Sequence, residues 1–198
     1  MRIAALASHG GSILQAVIDA IDTGALNAQL VLVVSNNSNA GALQRAAKHD
    51  IPTAHLSTAT HPDPAALDAA IARACLDASA DWLLLTGYMK RLGPATLAAF
   101  PSRILNTHPA LLPKFGGHGY YGRRVHEAVL QAREQESGAT VHFVEGDYDT
   151  GPIYRQCRVP VLANDTPEAL ESRVKAAERE LVVAALAELS ATNASATA

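Results

Sequence analysis

Apolar runs of strand length recur at residues 3–7, 30–34, 82–85 and 104–105. Between them, over residues 12–21, 41–48 and 65–76, apolar positions fall every three to four residues, the spacing of helices with one buried stripe. Strand and helix therefore alternate, which predicts βαβ units and a mostly parallel sheet. Leu30-Val31-Leu32-Val33-Val34 and Leu83-Leu84-Leu85 contain no polar residue, as strands must when helices cover both faces of a sheet. Ligands of such sheets meet the carboxyl ends of the strands, so the segments that follow these runs are where chemistry is expected.

After Pro109 the pattern changes. Residues 111–119 are glycine-rich and aperiodic, which predicts a loop able to cover a site, and helical spacing resumes over 124–133. Residues 140–144 and 154–161 read as two later strands, antiparallel and joined through a turn at Asp149-Thr150-Gly151-Pro152. A long final helix opens at Thr166-Pro167-Glu168, with Thr166 as N-cap and Pro167 in the first turn, and is expected to end near Leu189. Residues 190–198 are small and polar, so the expected organisation is a single domain over 1–189 followed by a disordered tail.

The chain has 198 residues, 48% of them hydrophobic, enough for one sizeable core. A net charge of -3, from 16 basic and 19 acidic residues spread along the chain, leaves no basic stripe and argues against nucleic acid and anionic membrane as partners. No apolar run approaches the roughly 20 residues of a membrane span. The stretch from Met1 to Ala7 is too short for the apolar centre of a secretory leader and reads as a first strand. Cys75 and Cys157 lie far apart without metal-ligand spacing, so a reducing cytoplasm is expected. His118 and His126 lack a third ligand in any zinc pattern, and no metal is expected.

Chemistry concentrates in Asn106-Thr107-His108-Pro109, which follows a buried strand expected over residues 103–105, where the chain should leave the sheet for a loop. The Asn106 carboxamide is a permanent donor to an oxyanion. Asp149, in the turn after another strand-like run, can meet the His108 imidazole in space. A carboxylate there is expected to raise the imidazole pKa, making His108 a charged donor at neutral pH, and Asp149 can itself accept the proton of an attacking amine. Taken singly, each residue has a plainer explanation as a loop histidine or a turn former. Their joint placement after strands points to acyl transfer. Gly10-Gly11-Ser12 leaves the first strand and opens a helix, where backbone N–H groups and the helix dipole bind phosphate. It lacks the spacing of a dinucleotide fingerprint or a P-loop, and a plain turn capped by Ser12 reads equally well. Thr140 and His142, two apart on one strand, share a face.

In Ser8-His9-Gly10-Gly11-Ser12, Gly87-Tyr88-Met89-Lys90-Arg91-Leu92, Asn106-Thr107-His108-Pro109-Ala110-Leu111-Leu112-Pro113, Thr140-Val141-His142-Phe143 and Asp149-Thr150-Gly151-Pro152, the chain resembles the folate-dependent formyltransferase family. The resemblance implies a Rossmann-like α/β fold, a mostly parallel twisted sheet with helices on both faces and a C-terminal antiparallel portion. It implies a donor, 10-formyltetrahydrofolate, used as a cosubstrate, and a small-molecule acceptor, glycinamide ribonucleotide, handled by a monomer or homodimer. Asn106, His108 and Asp149 would be the catalytic three. Gly10, Gly11 and Ser12 would hold the phosphate, beside Ile13 where the family commonly has Asn, and Glu178 would meet the glycinamide amine. Met89, Lys90, Arg91 and Leu92 would face Val144, Glu145, Gly146 and Asp147 across a pterin cleft, with Thr140 and His142 beside the formyl group. Lys175 stands where some relatives have Gln. The same resemblance admits an amino sugar nucleotide or tRNA-linked methionine as acceptor, or hydrolysis of the formyl folate. The additional domains of the tRNA and hydrolytic enzymes are not expected to fit beside this core in 198 residues. A folate- or nucleotide-binding protein without catalysis is the reading from another class, and the intact catalytic three argue against it.

Overall fold

The apolar runs become the middle of one seven-stranded sheet in the computed structural model, which describes residues 1–195. The strands are β1 (Arg2–Leu6), β2 (Gln29–Ser35), β3 (Thr53–His55), β4 (Trp82–Leu85), β5 (Ile104–His108), β6 (Glu136–Phe143) and β7 (Ile153–Pro160). Their order across the sheet is β3-β2-β1-β4-β5-β6-β7. The first five run parallel, while β6 is antiparallel to β5 and β7 to β6, as the sequence pattern predicts. Winding reverses between β1 and β4, and the loops leaving their carboxyl ends form the crevice in which such sheets bind ligands.

The helices are α1 (Ser12–Asp22), α2 (Gly41–Lys48), α3 (Pro64–Asp77), α4 (Pro94–Ala99), α5 (Arg123–Gln131) and α6 (Pro167–Ser195). Side chains alternate along each strand, so the sheet feeds two cores. On one face Ile3, Val33, Leu84, Leu105 and Val141 pack against Leu14 and Val17 of α1 and Leu170, Val174 and Leu186 of α6. On the other, Ala4, Leu6, Leu32, Leu83 and Ile104 pack against Ile71 and Cys75 of α3 and against Phe100. Each fully buried leucine or isoleucine removes enough apolar surface from water to contribute roughly 1.5–3 kcal/mol. Thr166 caps α6 as expected, its hydroxyl accepting from the Ala169 N–H at 3.2 Å.

Four features depart from the sequence expectation. First, β5 does not stop at Leu105 but continues to His108, because β6 pairs with it at Asn106↔His142 and His108↔Thr140 and satisfies its backbone. Second, β3 and α4 carry too few residues to show a period, three and six respectively. Third, the residue that caps α1 is Gly11, not Ser12, which is already the first helical residue. Fourth, α6 extends past Leu189 to Ser195. The Ser190 hydroxyl donates to the Asn27 carbonyl at 2.5 Å and the Thr192 hydroxyl to the Glu188 carbonyl at 3.0 Å, which ties this polar turn down. The last three residues of the expected tail lie outside the described residues. Among those described, no helix is long and apolar enough to cross a membrane.

His126 on α5 is 1% exposed, and its Nδ1 has no hydrogen-bond partner among the described residues. Burial pushes its pKa down from 6.5 to about 4, with Glu171 opposing and Lys175 and His108 reinforcing the fall. The folded chain therefore holds this ring neutral while the unfolded chain protonates it below pH 6.5, so its stabilising contribution is complete above 6.5 and is lost as pH falls toward 4. Urea midpoints measured across that window should decline, and His126→Leu should make the decline shallower.

Candidate active site

Strand periodicity delivers Asn106 and His108 to one face of β5 and Thr107 to the other. Antiparallel register then sets His142 of β6 directly opposite Asn106. Asp149 arrives from the loop between β6 and β7. That loop turns back tightly at Gly151, where any Cβ would stand 1.9 Å from the Phe143 carbonyl oxygen. Asp149 itself adopts a left-handed backbone, φ 57, which Asp tolerates better than most residues. The three expected catalytic side chains are thus brought together, with His108 and Asp149 both almost fully buried.

Hydrogen bonding assigns the protons. His142 Nδ1 lies 2.8 Å from the Phe143 carbonyl, which can only accept, so the proton is on Nδ1 and Nε2 is left as an acceptor. The Asn106 Nδ2 donates to it at 3.0 Å and to Asp149 Oδ1 at 3.3 Å. His108 Nε2 stands 2.7 Å from the Phe115 carbonyl and donates there, while its Nδ1 faces Asp149 Oδ2 at 3.4 Å. The Gly117 N–H donates to that same Oδ2 at 2.9 Å. Residues 115–117, in the glycine-rich loop, therefore close over the site through backbone groups.

Burial lowers the His108 pKa below the ordinary histidine value, and the Asp149 charge and Phe115 carbonyl oppose this without reversing it. That corrects the expectation of a protonated His108: desolvating the ring costs its cation more than one carboxylate at 3.4 Å returns. The neutral ring carries its proton on Nε2, and Nδ1 presents a lone pair toward Asp149. For Asp149 burial works upward, but its contact with the His142 side chain, the attraction of His108 once that ring is protonated at acid pH, and the Gly117 N–H hold its carboxyl below the usual range, so it is ionised at neutral pH.

The second wall of the site comes from the loop after β4. Lys90, Arg91 and Leu92 face Val144, Gly146 and Asp147 across a cleft whose floor is Asn106, His142 and Asp149. Arg91 and Asp147 close its mouth with a 2.7 Å ion pair. Met89 and Glu145, the other two of the eight expected cleft residues, are not part of this lining, and the Met89 N–H donates to Ser8 Oγ at 2.8 Å. Leu85, Tyr88 and Tyr148 also line the cleft. The sequence signal for the two tyrosines was their position beside Met89 and Asp149. The contributions of Phe115 and Gly117 are main-chain and leave no mark in residue identity. A roomier depression of about 380 Å³ lies at the opposite end of the sheet, near Arg2, His49 and Pro52, far from these convergent groups.

Three further expectations change. Thr140 does not offer its hydroxyl to the cleft; it donates to the Ala110 carbonyl at 2.6 Å and accepts from the Leu112 N–H and the Gln156 amide, pinning the start of the covering loop. Ile13 packs into the core at 7% exposure, so only its backbone can meet a phosphate. Glu178 reaches β5 from α6 but on the face opposite Asn106 and His108, accepting the Thr107 hydroxyl at 2.8 Å, with burial raising its pKa against that bond. Gly10 and Gly11 do stand at the carboxyl end of β1, where Ser8 N–H donates to the Gly87 carbonyl at 3.1 Å and so joins this turn to the cleft wall. Arg45, which the sequence did not single out, steadies the turn by donating to the Gly10 carbonyl at 2.8 Å. Lys175 pairs with Glu171. Among the described residues no group of three or more His, Cys, Asp or Glu side chains is placed to hold a metal ion.

A family model described as formyl transferase matches residues 1–186. The chain is 40% identical over 183 residues to the chloroplastic phosphoribosylglycinamide formyltransferase of Arabidopsis thaliana, covering 92% of this chain and 63% of that protein. It is 41% identical over 194 residues to the Mycobacterium tuberculosis H37Rv protein named phosphoribosylglycinamide formyltransferase, covering 95% of this chain and 84% of the other. The chain thus spans about three fifths of the plant relatives and most of the bacterial one. The solved structure of the phosphoribosylglycinamide formyltransferase from Coxiella burnetii, in complex with CHES, superposes with a TM-score of 0.90 at 34% identity over 97% of this chain and 88% of that one.

Because Asp149 is the main group resisting the fall of the His108 pKa, its removal should push that pKa lower still. Histidine NMR titrations of the unmodified chain should place His108 below ordinary histidines, and Asp149→Asn should move it further down. A rise in the variant would contradict the assigned electrostatics.

Proposed function

Because the chain belongs to the formyl transferase family, we propose that it transfers a formyl group from 10-formyltetrahydrofolate to the primary amine of 5'-phosphoribosylglycinamide, in de novo purine synthesis. The observation that carries this reading is the convergence of Asn106, Asp149 and His108, the first two on the floor of one cleft and the third beside Asp149. The donor is a dissociable cosubstrate whose pterin enters between Leu92 and Val144, and the acceptor phosphate meets the backbone N–H groups at Gly11 and Ser12, at the start of α1.

Attack by the amine on the formyl carbon makes a tetrahedral oxyanion and leaves one proton too many on the attacking nitrogen. Neutral His108 is suited to take that proton at Nδ1, because the resulting imidazolium then faces the ionised Asp149. The formyl oxygen takes its stabilisation from the Asn106 amide, which gives up its 3.3 Å bond to Asp149, while the His108 Nε2–H stays on the Phe115 carbonyl and holds the ring in place. Departure of the folate nitrogen is completed by return of the proton from His108. Asp149 thus acts by holding the cation rather than by carrying the proton.

Release of tetrahydrofolate followed by absorbance, with glycinamide ribonucleotide as acceptor, tests donor, acceptor and reaction together. Turnover should depend on that acceptor and should fall by roughly 10² to 10⁴ in Asp149→Asn. An amino sugar nucleotide supporting faster turnover, hydrolysis that ignores the acceptor, or an Asp149→Asn variant close to the unmodified rate would each defeat the reading.

A further inference from the structure

The cleft wall formed by Lys90, Arg91 and Leu92 ends at α4, and the residue in the N-cap position of that helix is Gly93, which has no side chain to cap it. Helix ends leave backbone N–H groups without intrahelical partners, and a buried one must be satisfied from elsewhere. Here the cap comes from another helix. Asp68 of α3, 7% exposed, accepts the Gly93 N–H at 3.1 Å, the Ala95 N–H at 2.7 Å, the Thr96 N–H at 3.2 Å and the Thr96 hydroxyl at 2.6 Å. The opposite end of the same strip is held by Ser8, whose hydroxyl accepts the Met89 N–H at 2.8 Å and donates to Asn36 at 2.5 Å. These two anchors therefore bracket residues 90–92, with Asp68 acting on the side of Leu92.

The arrangement is also mutually exclusive with an ordinary cap. A Cβ on Gly93 would lie 2.4 Å from the Asp68 carboxyl group. Yet the Gly93 backbone, φ -90 and ψ 177, is the extended geometry in which a serine N-cap is ordinarily found. Either Asp68 caps α4 from a distance and position 93 stays bare, or position 93 caps for itself and position 68 must be small.

We propose that Asp68 is the positioning residue for the formyl donor: by capping α4 in place of Gly93 it fixes the Arg91 and Leu92 wall against which the donor binds. This role rests on the proposed function, since it takes the cleft to be the donor's. Asp68 does not touch the reacting atoms. Its effect belongs to donor affinity, because displacement of a wall weakens a ligand packed on it without altering the groups that act on the formyl carbon.

The test is a cycle of Asp68→Ala, Gly93→Ser and the double variant in steady-state formyl transfer, with 10-formyltetrahydrofolate and glycinamide ribonucleotide varied separately. Loss of a cap predicts a donor KM raised about tenfold in Asp68→Ala, with acceptor KM and kcat close to the unmodified values. Gly93→Ser alone should also raise the donor KM, through its collision with the carboxyl group. The double variant, in which serine caps in the space that Asp68 vacates, should return to within about twofold of the unmodified KM. Should Asp68→Ala fail to fold, Asp68→Asn replaces it as the single variant, with a raised donor KM and faster hydrogen exchange expected at the Ala95 and Thr96 amides. A donor KM unchanged in the single variants, or a double variant worse than either, overturns the role of Asp68 and leaves the proposed function standing. An unmodified chain that transfers no formyl group overturns both.

Discussion

One carboxylate joins three parts of this chain. Asp149 accepts from Asn106 on β5, from the backbone of Gly117 in the covering loop, and faces His108 two residues beyond Asn106. It does so while almost fully buried, a position that an ionised group tolerates only when donors surround it. The site therefore depends on a loop tip being held against a sheet, and the features that hold it there are backbone ones: the bare Gly151, the left-handed φ at Asp149, and the continuation of β5 through His108.

The other face of β5 shows how a sheet keeps separate tasks apart. Thr107, between the two catalytic candidates, turns toward α6 and gives its hydroxyl to Glu178, so the strand that presents the chemistry is tied to the long helix behind it. Thr140, opposite His108, similarly ties β6 to the start of the covering loop. Each of these buried polar side chains makes the bonds its surroundings demand, and each consequently does less in the cleft than its position suggests.

The parallel half of the sheet was legible because a strand buried on both faces must be apolar throughout, as Leu30 to Val34 show, and because α1 to α3 repeat their apolar positions at helical spacing. The three candidate catalytic residues were legible as residue types set at strand ends. Two things were not. The protonation of His108 depends on how far the ring is desolvated, which the presence of Asp149 elsewhere in the sequence cannot reveal. The direction of a side chain depends on packing and register, so the bonds of Thr140 to the Ala110 carbonyl and of Glu178 to the Thr107 hydroxyl left no mark in the sequence. Main-chain donors and acceptors such as Gly117 and Phe115 carry no residue-type signature at all.

The sheet is open at both rims, which are β3 and β7. β3 offers only three residues, too short a template to recruit a foreign strand. β7 offers eight, but it carries Arg155 and Arg158, one on each face, paired with Glu188 of α6 and Glu136 of β6. Exposed pairs of that kind add little to the free energy of folding. What they do is keep charge fixed along the rim, so that another chain docking there must strip water from guanidinium groups before its first hydrogen bond forms, and crowding meets a built-in resistance to fibre growth.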